Sequence, residues 1–165
     1  MSGKVLVAGI GNIFLGDDAF GVEVVNRLMQ HTLPENVRVA DFGIRSFDLA
    51  YALMGDWELV ILVDALPRGG EPGTLYTLEP ELPNGEQSPP NLDAHTVDPV
   101  AVLQMVSALG GQVGRMLVVS CEPAKLEPDA EGNMALSPAV AAAVEEAVRM
   151  VEELIRRERS AAAVA

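Results

Sequence analysis

The sequence predicts an α/β protein, a three-layer sandwich in which a mostly parallel, twisted sheet of about five strands carries helices on both faces. Short apolar runs rich in Val, Ile and Leu recur along the chain, and helical patterns separate most of them. The chain has 165 residues, of which 49% are hydrophobic, and contains no internal repeat or dividing linker. We therefore expect a single domain over residues 1–159, followed by an Ala-rich flexible tail at residues 160–165.

The predicted parallel strands are short runs rich in Val, Ile and Leu, which are typical of strands covered on both faces. A further strand follows the one that ends at Asp64 after only about eight residues, whereas a parallel crossover needs about a dozen or more. That strand should therefore be antiparallel and lie at an edge. Four prolines and Asn84-Gly85 in residues 80–90 predict an exposed loop after it. The parallel runs are Val5 to Ala8, Val37 to Ala40, Leu59 to Val63 and Leu117 to Val119, and the antiparallel run is Gly73 to Glu79.

The first two helices are predicted from apolar spacing and a capping residue. One should begin after Asp18, and Ser46 should be the N-cap of another that runs from Phe47 to about Met54. The apolar face of the first helix is predicted to contain Val22, Val25, Leu28 and Met29.

The last two helices are predicted from cap-proline pairs. Asp98-Pro99 indicates an N-cap and a first helical proline, for a helix that runs to about Leu109 and ends at Gly110-Gly111. Ser137-Pro138 repeats this start signal, and an apolar stripe then predicts a helix of about 22 residues.

Charge and cysteine content limit the class of partner and the compartment. The formal net charge is −13, from 24 acidic and 11 basic residues, so a nucleic-acid backbone would be repelled. The single cysteine, Cys121, cannot form an internal disulfide, and it is predicted to be a small buried hydrophobic residue. No basic-then-apolar leader or membrane-length apolar run is present. We expect a soluble cytoplasmic protein with neither nucleic-acid nor membrane partners.

The first strand opens into a glycine turn, Gly9-Ile10-Gly11-Asn12-Ile13-Phe14, that differs from a dinucleotide-binding turn. The dinucleotide fingerprint needs a third glycine where this chain has Phe14. The acidic pair Asp17 and Asp18 would also occupy the helix N-terminus that a phosphate needs. The turn therefore favours delivery of carboxylates to the carboxyl edge of the sheet, where α/β proteins place their chemistry.

Three potential metal ligands are expected at that edge. Asp17 and Asp18 follow the first strand, Asp64 ends the third, and His95 precedes the third helix. Carboxylates with one imidazole suit a first-row divalent ion that keeps open positions and can polarise a carbonyl or activate water.

Each of these residues also has an ordinary structural interpretation. Asp18 could cap the first helix, Asp64 could pair within the fold, and His95 could be a polar loop residue. Their convergence on one edge is what favours a site. A Ser-His-Asp hydrolase is not indicated, since the chain has no Gly-x-Ser-x-Gly elbow.

Four features of the sequence occur in the same order as in a known family: Gly9-Ile10-Gly11-Asn12, Gly16-Asp17-Asp18-Ala19-Phe20-Gly21, Val63-Asp64-Ala65 and His95. With them the chain resembles the hydrogenase maturation endopeptidases over nearly its whole length. The resemblance implies that Asp18, Asp64 and His95 are the catalytic and metal-binding groups. It also implies that Asn12, Asp17, Asp41 and Gly43 position the substrate. Asp41-Phe42-Gly43-Ile44 stands where many members have Asp-Gly-Gly-Thr, a difference that points to a different hydrogenase partner.

The resemblance implies removal of the C-terminal extension from the large-subunit precursor of a nickel-iron hydrogenase after nickel insertion. The nickel would be supplied by the substrate, with another divalent metal as an alternative occupant. Two other functions stay open at this point. A peptidyl-tRNA hydrolase-like enzyme would share the Gly-x-Gly-Asn turn but needs an early histidine that is missing here, and a nickel-binding assembly chaperone would use the same ligands without cleavage.

Overall fold

The computed structural model describes residues 3–80, 97–124, 126 and 134–164. These residues form a five-stranded sheet in the order β2-β1-β3-β5-β4, with helices on both faces, as the sequence predicts. The loop expected at residues 80–90 lies almost wholly outside the described residues. The strands are β1 (Val5–Ile10), β2 (Val37–Gly43), β3 (Leu59–Ala65), β4 (Leu75–Leu78) and β5 (Arg115–Cys121).

The direction of each strand follows from the length of the connection before it. β1 is parallel to β2 and β3, and β3 is parallel to β5. β4 is antiparallel to β5 and lies at the edge of the sheet, which confirms the prediction from its short connection. Because β1 lies between β2 and β3, the chain reverses its direction of winding beside β1. Open α/β sheets bind their ligands at such a switch point, outside the carboxyl ends of the strands.

The helices form two layers that cover the two faces of the sheet. Alternate residues of the central strands point to opposite faces, and almost all of them are buried. Helices α1 and α4 cover one face, and α2 and α3 cover the other. The bounds of the helices are a 3₁₀ turn at Gly16–Ala19, then α1 (Phe20–Leu28), α2 (Ser46–Leu53), α3 (Pro99–Ala108) and α4 (Pro138–Val164).

Helix α1 lies directly on the sheet through a glycine. A Cβ atom at Gly21 would overlap the backbone carbonyl oxygens of Val63 and Ile10. The helix backbone therefore contacts the ends of β1 and β3 with no side chain between them. This close approach places the 3₁₀ turn that precedes α1 beside the carboxyl end of β3.

Two helix starts agree with their predicted signals and one does not. The Asp98 side chain accepts a 2.9 Å hydrogen bond from the Val100 amide, as an N-cap should, and α4 begins at Pro138. The prediction of Ser46 as an N-cap is wrong, because Ser46 is the first residue of α2 and Arg45 precedes it without a side-chain cap. The Arg45 guanidinium instead bonds the carbonyl oxygens of Asp41 and Phe42, and this fixes the entry to the helix.

Two further details differ from the sequence expectations. Met29 lies beyond the last residue of α1 and is 47% exposed, so it does not share the buried face of Val22, Val25 and Leu28. Helix α4 continues to Val164 and includes the residues from 160 that were expected to form a tail, which fits the high helix propensity of alanine.

Among the described residues, no helix has both the length and the apolar character that crossing a membrane would require.

Candidate active site

The turn after β1 positions Asp18. Gly11 has a φ of +142°, and a Cβ atom there would overlap the carbonyl oxygen of Asp18, so the two backbone segments can meet only at a glycine. The Asn12 amide then donates a 2.7 Å hydrogen bond to Oδ2 of Asp18. Asp18 is 8% exposed, and burial raises the pKa of its carboxyl although the Asn12 amide opposes the rise.

Asp64 lies at the carboxyl end of β3, the neighbour of β1 at the switch point. Its Oδ1 accepts a 2.8 Å hydrogen bond from the Ala65 amide. The side chain is 4% exposed, and burial raises the pKa of the Asp64 carboxyl well above its usual 3.8. The negative charges of Asp18 and Asp98 raise that pKa further, so these carboxylates are close enough to repel one another.

The two carboxylates form a site that a cation would stabilise. In each, one oxygen is held by a backbone amide, and no second donor among the described residues reaches the other oxygen. A bound cation would neutralise the repulsion and use the remaining oxygens, so the donor set fits a divalent metal. Asp98 adds charge, yet the described residues contain no cluster of three His, Cys, Asp or Glu side chains able to hold a metal. His95, the predicted third ligand, lies outside the described residues, and its role stays a prediction.

Asp17 has a different environment from its neighbour Asp18. Its carboxylate accepts hydrogen bonds from the Ala124 amide at 2.8 Å and from the amide and hydroxyl of Ser137 at 2.7 and 2.8 Å. The side chain is 0% exposed. Its contacts join the turn after β1 to the start of α4. The role of Asp17 in positioning the substrate stays a prediction.

The other predicted substrate-positioning residues line one groove. Asn12, Asp41 and Gly43 border a cavity of about 300 Å³ between the turns after β1 and β2. The Asn12 and Asp41 side chains each accept a bond from the amide two residues ahead, at 2.9 and 2.8 Å, and so hold the two turns in shape. The rim is apolar and exposed, with Ile13 at 52% and Phe14 at 59%.

Glu122 is a buried carboxylate that the sequence analysis missed. It follows β5, is 4% exposed, and accepts hydrogen bonds from the amides of Arg68 and Gly69 and from the Tyr76 hydroxyl. The Arg68 guanidinium lies over the Tyr76 ring, 5.3 Å from its centre. Glu122 thus fixes the segment between β3 and β4 against β5. Its signal was available, since an acidic residue directly after a buried strand is the same pattern that singled out Asp64.

Cys121 is buried at the end of β5, as predicted, and burial raises the pKa of its thiol to about 11. A thiol with that pKa stays protonated near neutral pH and is a poor nucleophile. Cys121 is therefore not a candidate nucleophile at this edge of the sheet.

The fold and the site together define an α/β enzyme with a buried carboxylate pair at the switch point of its sheet and a groove alongside. The chain belongs to the hydrogenase maturation protease family, whose model matches residues 22–154. It is accordingly an endopeptidase of hydrogenase maturation.

Individual members of this family are similar in sequence to this chain over most of their length. The chain is 35% identical over 151 residues to the hydrogenase expression/formation protein HupD of Rhodobacter capsulatus. The aligned region covers 88% of this chain and 70% of that protein. It is 30% identical over 158 residues to the hydrogenase 2 maturation protease of Escherichia coli, covering 93% and 91%. Among solved structures, the hydrogenase maturating endopeptidase HybD from Escherichia coli is similar with a TM-score of 0.73 and 29% identity over 93% of each chain.

Proposed function

We propose that this endopeptidase removes the C-terminal extension of the large-subunit precursor of a nickel-iron hydrogenase once the precursor carries nickel. Asp18, Asp64 and His95 are the catalytic and metal-contacting groups in this proposal. The observation that carries it is the pair of buried carboxylates at the switch point, each with one oxygen held by a backbone amide. Such a pair is unfavourable until a cation arrives, and the precursor would bring that cation.

The ligand set favours a metal that arrives with the substrate. Two carboxylates and one imidazole include no thiolate, so the protein alone would hold nickel only moderately, and cysteine ligands of the precursor would complete the coordination. The nickel would act as a Lewis acid toward the scissile carbonyl. The protein's own part is to hold the carboxylates of Asp18 and Asp64 in place with the amides of Asn12 and Ala65, which keeps the site arranged before the precursor binds.

The groove beside the site is proposed to take the precursor chain next to the cleaved bond. Its floor is formed by the turns that contain Asn12, Asp41 and Gly43, and Ile13 and Phe14 leave apolar surface exposed at its rim. This surface suits an extended peptide with apolar side chains. A net charge of −13 fits a protein partner and opposes a nucleic acid. We also propose that the protease acts on this precursor in the cytoplasm.

The test is cleavage of the precursor isolated from nickel-replete and nickel-starved cells, followed by mass spectrometry of its C-terminus. We expect the extension to be lost only from the nickel-loaded precursor. Asp64→Asn should abolish the cleavage, and Asp56→Asn, which changes an exposed aspartate in the same way, should leave it unchanged.

Two results would contradict the proposal. Equal cleavage of both precursors would show that nickel is not recognised, and full cleavage by Asp64→Asn would remove the proposed role of that carboxylate. Binding of the nickel-loaded precursor without cleavage would instead indicate an assembly chaperone.

A further inference from the structure

Ser120 is a buried hydroxyl at the edge of the site. It lies in β5, is 0% exposed, and its Oγ makes no hydrogen bond within the part of the chain that the structure describes. Ser120 is aligned with Asp64 of the parallel strand β3 and with Tyr76 of the antiparallel strand β4. Residues aligned across neighbouring strands project from the same face of a sheet. The Ser120 hydroxyl therefore lies in one row with the Asp64 carboxylate.

Packing does not explain a serine at this position. The residues that precede Ser120 on the same face of β5, Met116 and Val118, are apolar and belong to the core under α2 and α3. A buried hydroxyl without a hydrogen bond costs stability, and an alanine would avoid that cost. Ser120 has no hydrogen-bond partner among the described residues, and the other buried residues of β5 are apolar. Such a buried polar group needs a reason, and function is one.

Of the two described neighbours of Ser120 in this row, Asp64 is the better acceptor. Tyr76, on one side of Ser120, places its hydroxyl 3.4 Å from the Glu122 carboxylate. Asp64, on the other side, has Oδ1 bonded to the Ala65 amide, and no described donor reaches its Oδ2. Adjacent strands are about 4.8 Å apart, so side-chain rotation at Ser120 and Asp64 would bring the hydroxyl within hydrogen-bond distance of Oδ2.

We propose that Ser120 is a positioning residue that donates a hydrogen bond to the Asp64 carboxylate when that carboxylate binds the metal. The proposal rests on the proposed function, because it assigns Asp64 to the metal. With Oδ1 held by Ala65 and Oδ2 by Ser120, the plane of the carboxylate is fixed and its remaining lone pairs are aimed at the ion.

The experiment compares Ser120→Ala, Ser120→Thr and the surface control Ser107→Ala. Three properties are measured: urea unfolding of the metal-free protein, affinity for Ni²⁺ alone by titration calorimetry, and the rate of precursor cleavage. We expect Ser120→Ala to unfold at the same or a higher urea concentration than the wild type. Its Ni²⁺ affinity and cleavage rate should each fall about 10–100-fold, the usual effect of losing a group that orients a metal ligand. Ser120→Thr keeps the hydroxyl and should restore both.

Stability separates this role from a structural one. If Ser120→Ala unfolds at a clearly lower urea concentration, the hydroxyl serves the fold and the proposal is overturned. If Ser120→Ala binds Ni²⁺ and cleaves like the wild type while Asp64→Asn is inactive, the proposal fails and the proposed function stands. If Asp64→Asn cleaves normally, the role of Asp64 fails, and the role of Ser120 fails with it.

Discussion

Asp17 and Asp18 are adjacent, buried aspartates with different hydrogen-bond partners, and they provide a matched pair of substitutions. Asp17→Asn and Asp18→Asn make the same chemical change one residue apart. Within the described residues, the Asp17 carboxylate accepts three hydrogen bonds from buried or partly buried donors, two from Ser137 and one from Ala124, and is 0% exposed. From the same residues the Asp18 carboxylate accepts one, from the Asn12 amide. We expect Asp17→Asn to affect stability and Asp18→Asn to affect cleavage.

The expected loss at Asp17 follows from its donors. The side-chain amide of asparagine offers one acceptor oxygen and one NH₂ group, so at least one of the backbone amides of Ala124 and Ser137 would face a donor. A hydrogen bond to a charged acceptor contributes about 1.5–3 kcal/mol, and an unpaired buried amide costs about 1–3 kcal/mol. We expect the free energy of unfolding to fall by about 2–4 kcal/mol, which lowers the Tm of a domain of this size by roughly 5–15 °C.

The expected result at Asp18 is the reverse. Burial raises the pKa of this carboxyl, so a neutral amide removes an unfavourable charge and can still accept from Asn12. Stability should therefore be unchanged or slightly higher, and precursor cleavage should be lost.

Urea unfolding can be followed by the fluorescence of Trp57, the single tryptophan. Its indole donates to the carbonyl of Ala52 and reports the core under α2 and α3. A wild-type unfolding midpoint for Asp17→Asn, or equal destabilisation by the two variants, would refute this reasoning.

Two further predictions concern the same edge of the sheet. The pKa of the native Asp64 carboxyl is raised well above 3.8, so this group binds more protons in the native state than in the unfolded state between pH 3.8 and its raised pKa. The contribution of Asp64 to the stability of the metal-free wild-type protein therefore falls as the pH rises through this window. Asp64→Asn lacks this loss, so its stability relative to the wild type should increase from about pH 4 upward in urea titrations, and a pH-independent difference would contradict the assignment. Gly11→Ala should displace the Asp18 backbone, lower the Tm and reduce cleavage. Gly110→Ala is the control, because Gly110 also has a positive φ but has open space around it. This control should lower the Tm without reducing cleavage.

Features of the fold that depend on local sequence could be predicted. Buried apolar runs predicted the strands, the Asp98-Pro99 pair predicted the start of α3, and the short connection after Asp64 predicted the antiparallel edge strand. Each of these signals lies within a few residues of the element it specifies, so no knowledge of the tertiary structure was needed.

Features that depend on distant contacts could not be predicted in the same way. The donors to Asp17 lie more than a hundred residues further along the chain, and no local pattern identifies them. The pairing of Ser120 with Asp64 follows from the strand order, which brings β5 beside β3. The Arg45 contacts that replace a serine cap depend on the turn that leaves β2. His95 stays a prediction from sequence.

The contact of Gly21 with the sheet separates the geometry of the site from the packing of the core. Since backbone meets backbone there, the spacing between the turn that carries Asp18 and the strand that carries Asp64 is set by peptide groups alone. Side chains elsewhere under α1 and α4 can change in size without altering that spacing, because none of them lies between the two backbone segments at Gly21. The family could therefore diverge widely in its core while the two carboxylates keep the same separation, and a single added methyl group at residue 21 would disturb them more than many substitutions deeper in the protein.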